Sequence, residues 1–109
     1  MANTFKLKTK ANVGVTTVGI YTAPASTTTV VIGITLANTS GSGVNVGVGI
    51  TRAGTTEDVK LLKNAPVPSG SSLEFMSGNK IVLETNDQIN VDSDTNNSID
   101  AALTIMEIT

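Results

Sequence analysis

The chain contains no cysteine, no histidine and no tryptophan, and its aromatic side chains are Phe5, Tyr21 and Phe75 alone. Missing Cys and His removes thiol nucleophiles, Ser–His dyads and zinc sites built on nitrogen or sulfur ligands. Three scattered aromatics make no platform for stacking sugars or bases. Charge is also scarce: 15% of residues are charged, against about 25% in ordinary globular domains. The net charge of −2 at pH 7 offers no basic field for nucleic acid or an anionic membrane surface. No apolar run reaches the length of a bilayer span. The first ten residues alternate lysines with apolar side chains, unlike a signal peptide, so a soluble protein made in a cytoplasm is expected. With no disulfide available, the fold must rest on its core, and 109 residues suit one domain, residues 1–109.

What the chain does contain is Val, Ile and Thr in short alternating runs, set among Ser, Asn and Gly. Phe5 and Leu7 alternate with Lys6, Lys8 and Lys10, which predicts a half-buried strand with its lysines outward, residues 1–12 forming an edge strand or arm. A second strand runs from about Val13 to Tyr21 and is broken at Ala23-Pro24. From Thr29 to Leu36 the pattern places Val30, Ile32, Ile34 and Leu36 on one face. After a polar, glycine-rich turn, Val44, Val46, Val48 and Ile50 repeat it. Residues 55–63 combine a helix-like Thr55/Asp58 start with strand-like alternation of Val59 and Leu61, and the strand reading is favoured. Pro66 and Pro68 lack amide donors, so their stretch belongs at a sheet edge or in a crossing connection. Strands at 73–75, 80–83, 88–92 and 99–108 follow, separated by turns at 77–79, 86–87 and 94–98. Inward rows are expected from Ile89 with Val91 and from Ile99, Ala101, Leu103 and Ile105. About eight or nine strands without a convincing helix make an all-β protein, an antiparallel two-sheet β-sandwich of jelly-roll or Ig-like type.

Gly33, Gly47 and Gly49 interrupt two of these strands, and each costs about 0.5–1 kcal/mol relative to alanine. Either neighbouring groups of the same domain lie close over them, or they form a smooth face for another subunit. They and the lysines Lys6, Lys8 and Lys10 are therefore the interface candidates. Asp92, Asp94, Asn96 and Asp100 fall at the alternate positions of a calcium loop, but Asn97 stands where that loop needs glycine and Leu103 where it needs a bidentate glutamate. A solvated turn explains the same letters, so no metal and no cofactor is expected. Phe5 and Phe75 are expected in the core, and Tyr21 at the border of a surface. No carboxylate pair stands out for acid–base chemistry, and an enzyme is not expected.

Two stretches carry a family resemblance: IYTAPASTTTVVIGITLAN (Ile20 to Asn38), and APVPSGSSLE (Ala65 to Glu74) followed by KIVLE (Lys80 to Glu84) and DQINV (Asp87 to Val91). Together they resemble the small virion-associated β-sandwich proteins of tailed bacteriophages, with a departure at Thr85-Asn86-Asp87, where a glycine is expected before the aspartate. The resemblance implies a non-enzymatic virion component, foremost a head decoration (cement) protein, made in the host bacterial cytoplasm. It would form a homo-oligomer, with a trimer favoured, on major capsid or tail proteins, without contacting nucleic acid or membrane. A tail or tail-fibre accessory protein, or a glycan- or receptor-binding module with Tyr21, Asn38 and Asn96 as first contacts, is the alternative.

Overall fold

The computed structural model describes residues 3–54, 57–75 and 80–109, with Phe75 described by its backbone only. Its strands are β1 (Asn3–Val13), β2 (Val18–Thr22), β3 (Thr28–Asn38), β4 (Val44–Thr51), β5 (Asp58–Val67), β6 (Ser72–Phe75), β7 (Ile81–Leu83), β8 (Gln88–Ser93) and β9 (Ile99–Ile108). Residues 58–63 are strand, which resolves the ambiguity in that segment, although Thr55 lies outside the described residues. The expected turn at 77–79 is outside them as well.

Every strand pairing is antiparallel. One sheet has the order β1-β9-β3-β6, with β7 also on β3, and the other has β2-β8-β4-β5. β7 pairs with Thr29–Val31 and β6 with Ile34–Ala37, so the two lie end to end along β3 like one interrupted strand. Counted as one, they leave eight strands in the orders 1-8-3-6 and 2-7-4-5. That interleaving of the chain's two halves in both sheets makes the sandwich a jelly roll, and decides against the Ig-like arrangement. β5 is an edge strand, which is why Pro66 can stand opposite Asn45 without disrupting a central ladder.

The core lies between the sheets. Ile99, Ala101, Leu103 and Ile105 face inward from β9, Val44, Val46, Val48 and Ile50 from β4, and Ile89 and Val91 from β8, all as their alternation dictates. β3 departs from the simple pattern. Val31 pairs with Ile105 and Gly33 with Thr104, so Ile32 is an extra residue on β3. This bulge reverses the facing of the strand. Thr29 and Val31 are buried before it and Ile34 and Leu36 after it, whereas Val30 and Ile32, expected inward, are only half-buried.

β1 is the second correction. Residues directly opposite in an antiparallel pair share a face, and Lys6 and Lys8 lie opposite the inward-facing Ile105 and Leu103. Phe5 and Leu7 therefore point to solvent, 68% and 65% exposed, the reverse of their expected core placement. The strand sits at the rim of the sandwich, touching the second sheet mainly at β2 and β8. Its inner side can thus carry lysines whose stems lie along the core while their ammonium groups reach polar partners.

Candidate assembly surface

The inward side of β1 leads into a buried polar cluster. Lys6 Nζ is 2.9 Å from Glu107 Oε1, and the Tyr21 hydroxyl donates to Glu107 Oε2 at 2.6 Å. The same hydroxyl lies 2.8 Å from Thr29 Oγ1, and Lys8 Nζ stands 6.0 Å from the centre of the Tyr21 ring. Glu107 takes the next inward position of β9 after Ile105, where the apolar alternation would call for a hydrophobe. Its carboxyl is held below the usual glutamate range, first by the Tyr21 hydrogen bond and then by Lys6. Burial, with the Glu107 bond behind it, pushes the Tyr21 phenol from 10.0 to about 12. Tyr21 is thus an internal strut joining β2, β3 and β9, and not the border of a surface site. The sequence signal for this cluster is a charged residue at an inward position of an otherwise apolar strand.

A second polar clasp ties the end of β4 to the β7–β8 turn. Asp87, whose side chain is 3% exposed, accepts from Arg52 Nε at 3.1 Å, from the Ala53 amide at 2.9 Å and from the Glu84 amide at 3.0 Å. Burial alone would raise its carboxyl, but the two amides and the guanidinium together hold it below its ordinary value. Arg52 also reaches Glu84 at 2.6 Å. Asn86, where the resemblance led to a glycine, has φ +68°. Asparagine supplies the left-handed backbone that glycine would otherwise provide.

The calcium-like residues do not converge. Asp92 accepts from the Thr17 hydroxyl at 3.2 Å, Asp94 from the Asn45 amide at 3.2 Å, Asn96 from the Val15 amide at 3.3 Å and Asp100 from the Asn12 amide at 3.0 Å. Each side chain has a partner of its own, and among the described residues no three acidic side chains gather to hold a metal. Asn38, a proposed glycan contact, is buried and donates to the carbonyls of Ser42 and Val67, each at 2.9 Å, while accepting from Ser40. It organises the β3–β4 loop. The chain has a Ser-x-x-Lys spacing at Ser77 to Lys80, but Ser77 lies outside the described residues. No buried side-chain oxygen or nitrogen among the described residues lacks a hydrogen-bond partner.

The three glycines separate. Gly47 and Gly49 are buried within the domain and present no free face. The bulged register of β5 brings the Leu62 carbonyl to 3.4 Å from where a Gly47 Cβ would stand, and the Val59 carbonyl to 3.1 Å from that of Gly49. The Asp92 side chain also lies over Gly47, and Asn90 over Gly49. Gly33 is different: apart from its own chain neighbours, no heavy atom of the described residues lies within 4 Å of its Cβ position. It sits in a surface hollow of about 300 Å³, bordered by Ile32, Thr35, Ala102, Thr104 and Glu74. This hollow is on the outer face of the first sheet, the face that also carries Phe5, Leu7 and the exposed Val82.

No protein-family model matches the chain, and no curated protein sequence matches it. Solved structures do. A chain from the disulfide-linked pili of Bacillus endospore appendages superposes with a TM-score of 0.60 at 15% identity, over 99% of this chain and 87% of that one. A chain of the T13 particle of infectious bursal disease virus gives 0.58 at 15% identity, over 96% of this chain and 30% of its own length. A chain of the Gx strain of the same virus gives 0.59 at 12% identity, over 98% and 33%. This chain therefore spans about a third of each virus chain. At such identities the likeness is one of fold, and the fold is found in components of a viral particle and of a pilus.

Proposed function

We propose that this protein is a non-enzymatic structural subunit of a virion, a head decoration protein that associates with its own copies and docks on the particle. One observation carries the reading: an outer sheet face bearing solvent-exposed Phe5, Leu7 and Val82, on a domain whose described buried side-chain oxygens and nitrogens all have hydrogen-bond partners. Apolar side chains gathered on one exposed face are what a protein-binding surface presents, whereas an enzyme displays converging reactive groups. A fold found in parts of a viral particle and a pilus is consistent with this, as is the phage-like punctuation of the sequence. The chain has no cysteine, so disulfide-linked assembly of the pilus kind is closed to it and its contacts would be noncovalent. The protein's partners would be its own copies together with a major capsid or tail protein.

The test is particle association. Phage particles from a strain carrying the gene are sedimented and compared with particles made without it. Decoration predicts the protein in the pellet at fixed stoichiometry, on heads and not on tails, and a higher temperature of DNA release when it is present. Protein left in the supernatant would reject the virion reading. Labelling of tails alone would reject decoration in favour of a tail accessory protein.

A further inference from the structure

The outer face of the first sheet carries both a projection and a matching depression. Cross-strand pairing puts Leu7, Thr104 and Gly33 in one row across β1, β9 and β3, and Phe5, Met106 and Val30 in the next outward-facing row. Leu7 thus stands as a knob on β1, and the Gly33 hollow lies two strands away, at the same level, on β3. A two-fold axis running along β9 within a face-to-face contact exchanges β1 with β3. It therefore sets Leu7 of each copy over Gly33 of the other, and Phe5 over Val30. A knob and its hole on the same patch is the condition for an isologous contact, in which one surface suffices for both partners.

We infer that this face is the binding site for a second copy of the same chain, in a two-fold pair locked by reciprocal insertion of Leu7 into the Gly33 hollow. This deepens the self-association in the proposed function by naming its surface. Charge permits it. Across β1, β9 and β3 the Phe5 and Leu7 rows bear no charged side chain, so two copies meet there without repulsion. Of the carboxylates on this face, Glu74 borders the hollow from β6, a strand that the two-fold sets beyond the β1 edge of the other copy, and Asp100 lies two rows past Thr104 along β9, where twisted sheets diverge as they pack. Extent is in keeping: strands of ten residues at about 3.3 Å rise, three abreast at about 4.8 Å, present a flat footprint of roughly 500 Å² per partner, to which β6 and β7 add. A stable interface buries about 800 Å² of accessible surface per partner, and a pleated face with projecting side chains exposes more than its flat footprint. A three-fold ring would instead require two different complementary patches.

The full chain is examined by light scattering after size exclusion over a wide range of dilutions, beside Leu7→Lys, Gly33→Val and Val15→Lys variants. Gly33→Val is the discriminating change. Its backbone is not left-handed and its Cβ position is open, so the fold accepts valine while the hollow is filled. The expected result is a dimer for the native chain and for Val15→Lys, whose exposed site lies in the loop between β1 and β2. Leu7→Lys and Gly33→Val should each weaken the dimer at least about 100-fold while keeping the native circular dichroism spectrum and a cooperative melt. A native monomer at high concentration, a trimer, or variants that remain dimeric would each overturn the inference. Failure of the virion reading is read separately, in the sedimentation of particles.

Discussion

Changing Tyr21 to phenylalanine removes one oxygen atom and isolates the polar cluster that ties β2, β3 and β9 together. The lost bond is 2.6 Å long and donated to an ionised, buried carboxylate. Hydrogen bonds of that kind contribute about 1.5–3 kcal/mol. Thr29, fully buried, also loses its 2.8 Å partner, which brings the expected cost to about 2–4 kcal/mol. For a domain of this size that lowers the melting temperature by roughly 10–25 °C. The phenol's proton provides an independent readout. Its pKa is raised from 10.0 to about 12, so the folded state holds that proton more tightly than the unfolded chain does. The resulting stability, about 3 kcal/mol, is complete below pH 10 and is lost as pH rises through about 12. Tyr21 is the chain's single tyrosine and there is no tryptophan, so phenolate absorbance follows this one group without interference. Urea unfolding at pH 8 and at successive values up to pH 12, for native protein and the variant, makes the comparison. The alkaline loss of stability seen in the native protein and absent from the variant belongs to Tyr21. A phenolate midpoint near 10 with the fold intact, or a variant within 0.5 kcal/mol of native by the usual scale of surface changes, would refute the reasoning.

Asp87→Ala should cost about 2–5 kcal/mol, because it strips the acceptor from two amides and from the Arg52 guanidinium, as chemical denaturation would show. Since Asp87 and Glu107 titrate below their ordinary values, their stabilisation is present above those values and is lost as pH falls through the lower, folded ones; an acid-unfolding curve should flatten for Asp87→Asn. Asn86→Gly should be nearly neutral, and Asn86→Val should cost about 1–2 kcal/mol at the same φ of +68°, measured by thermal melting. Gly49→Ala should destabilise by about 1–3 kcal/mol because its Cβ meets the Val59 carbonyl at 3.1 Å, whereas Gly33→Ala should not; equal costs would sink the distinction between covered and open glycines.

Much of the sandwich was legible because a strand buried on one face writes its orientation into alternate letters. β4, β8 and β9 show this plainly: the apolar residues that their alternation names, Val44 to Ile50, Ile89 with Val91, and Ile99 to Ile105 at every second position, are all buried. The prolines likewise kept their stretch out of a central strand, since missing amide donors are a property of the residue itself, and of the two places left open, a sheet edge or a crossing connection, Pro66 takes the edge on β5. β1 misled because the same alternation serves either facing. Phe5 and Leu7 look like core residues until the register with β9 is known. β3 misled at Ile32, where one inserted residue reverses every side chain beyond it without any mark in the composition. The glycines look alike in sequence, yet bulges on β5 cover two of them and leave Gly33 open.

The amino-acid sequence by itself determined the all-β class and the lack of histidine and thiol groups, because these follow from residue types and from a period of two read along one strand. Only the tertiary structure decided the jelly-roll order, the internal pairing of Lys6 with Glu107 and Tyr21, the dispersal of the calcium-like oxygens, and the outward face of Phe5 and Leu7 beside the Gly33 hollow. Those depend on which strands lie side by side and in what register, and strands such as β1 and β9 meet from opposite ends of the chain, beyond the reach of any local pattern.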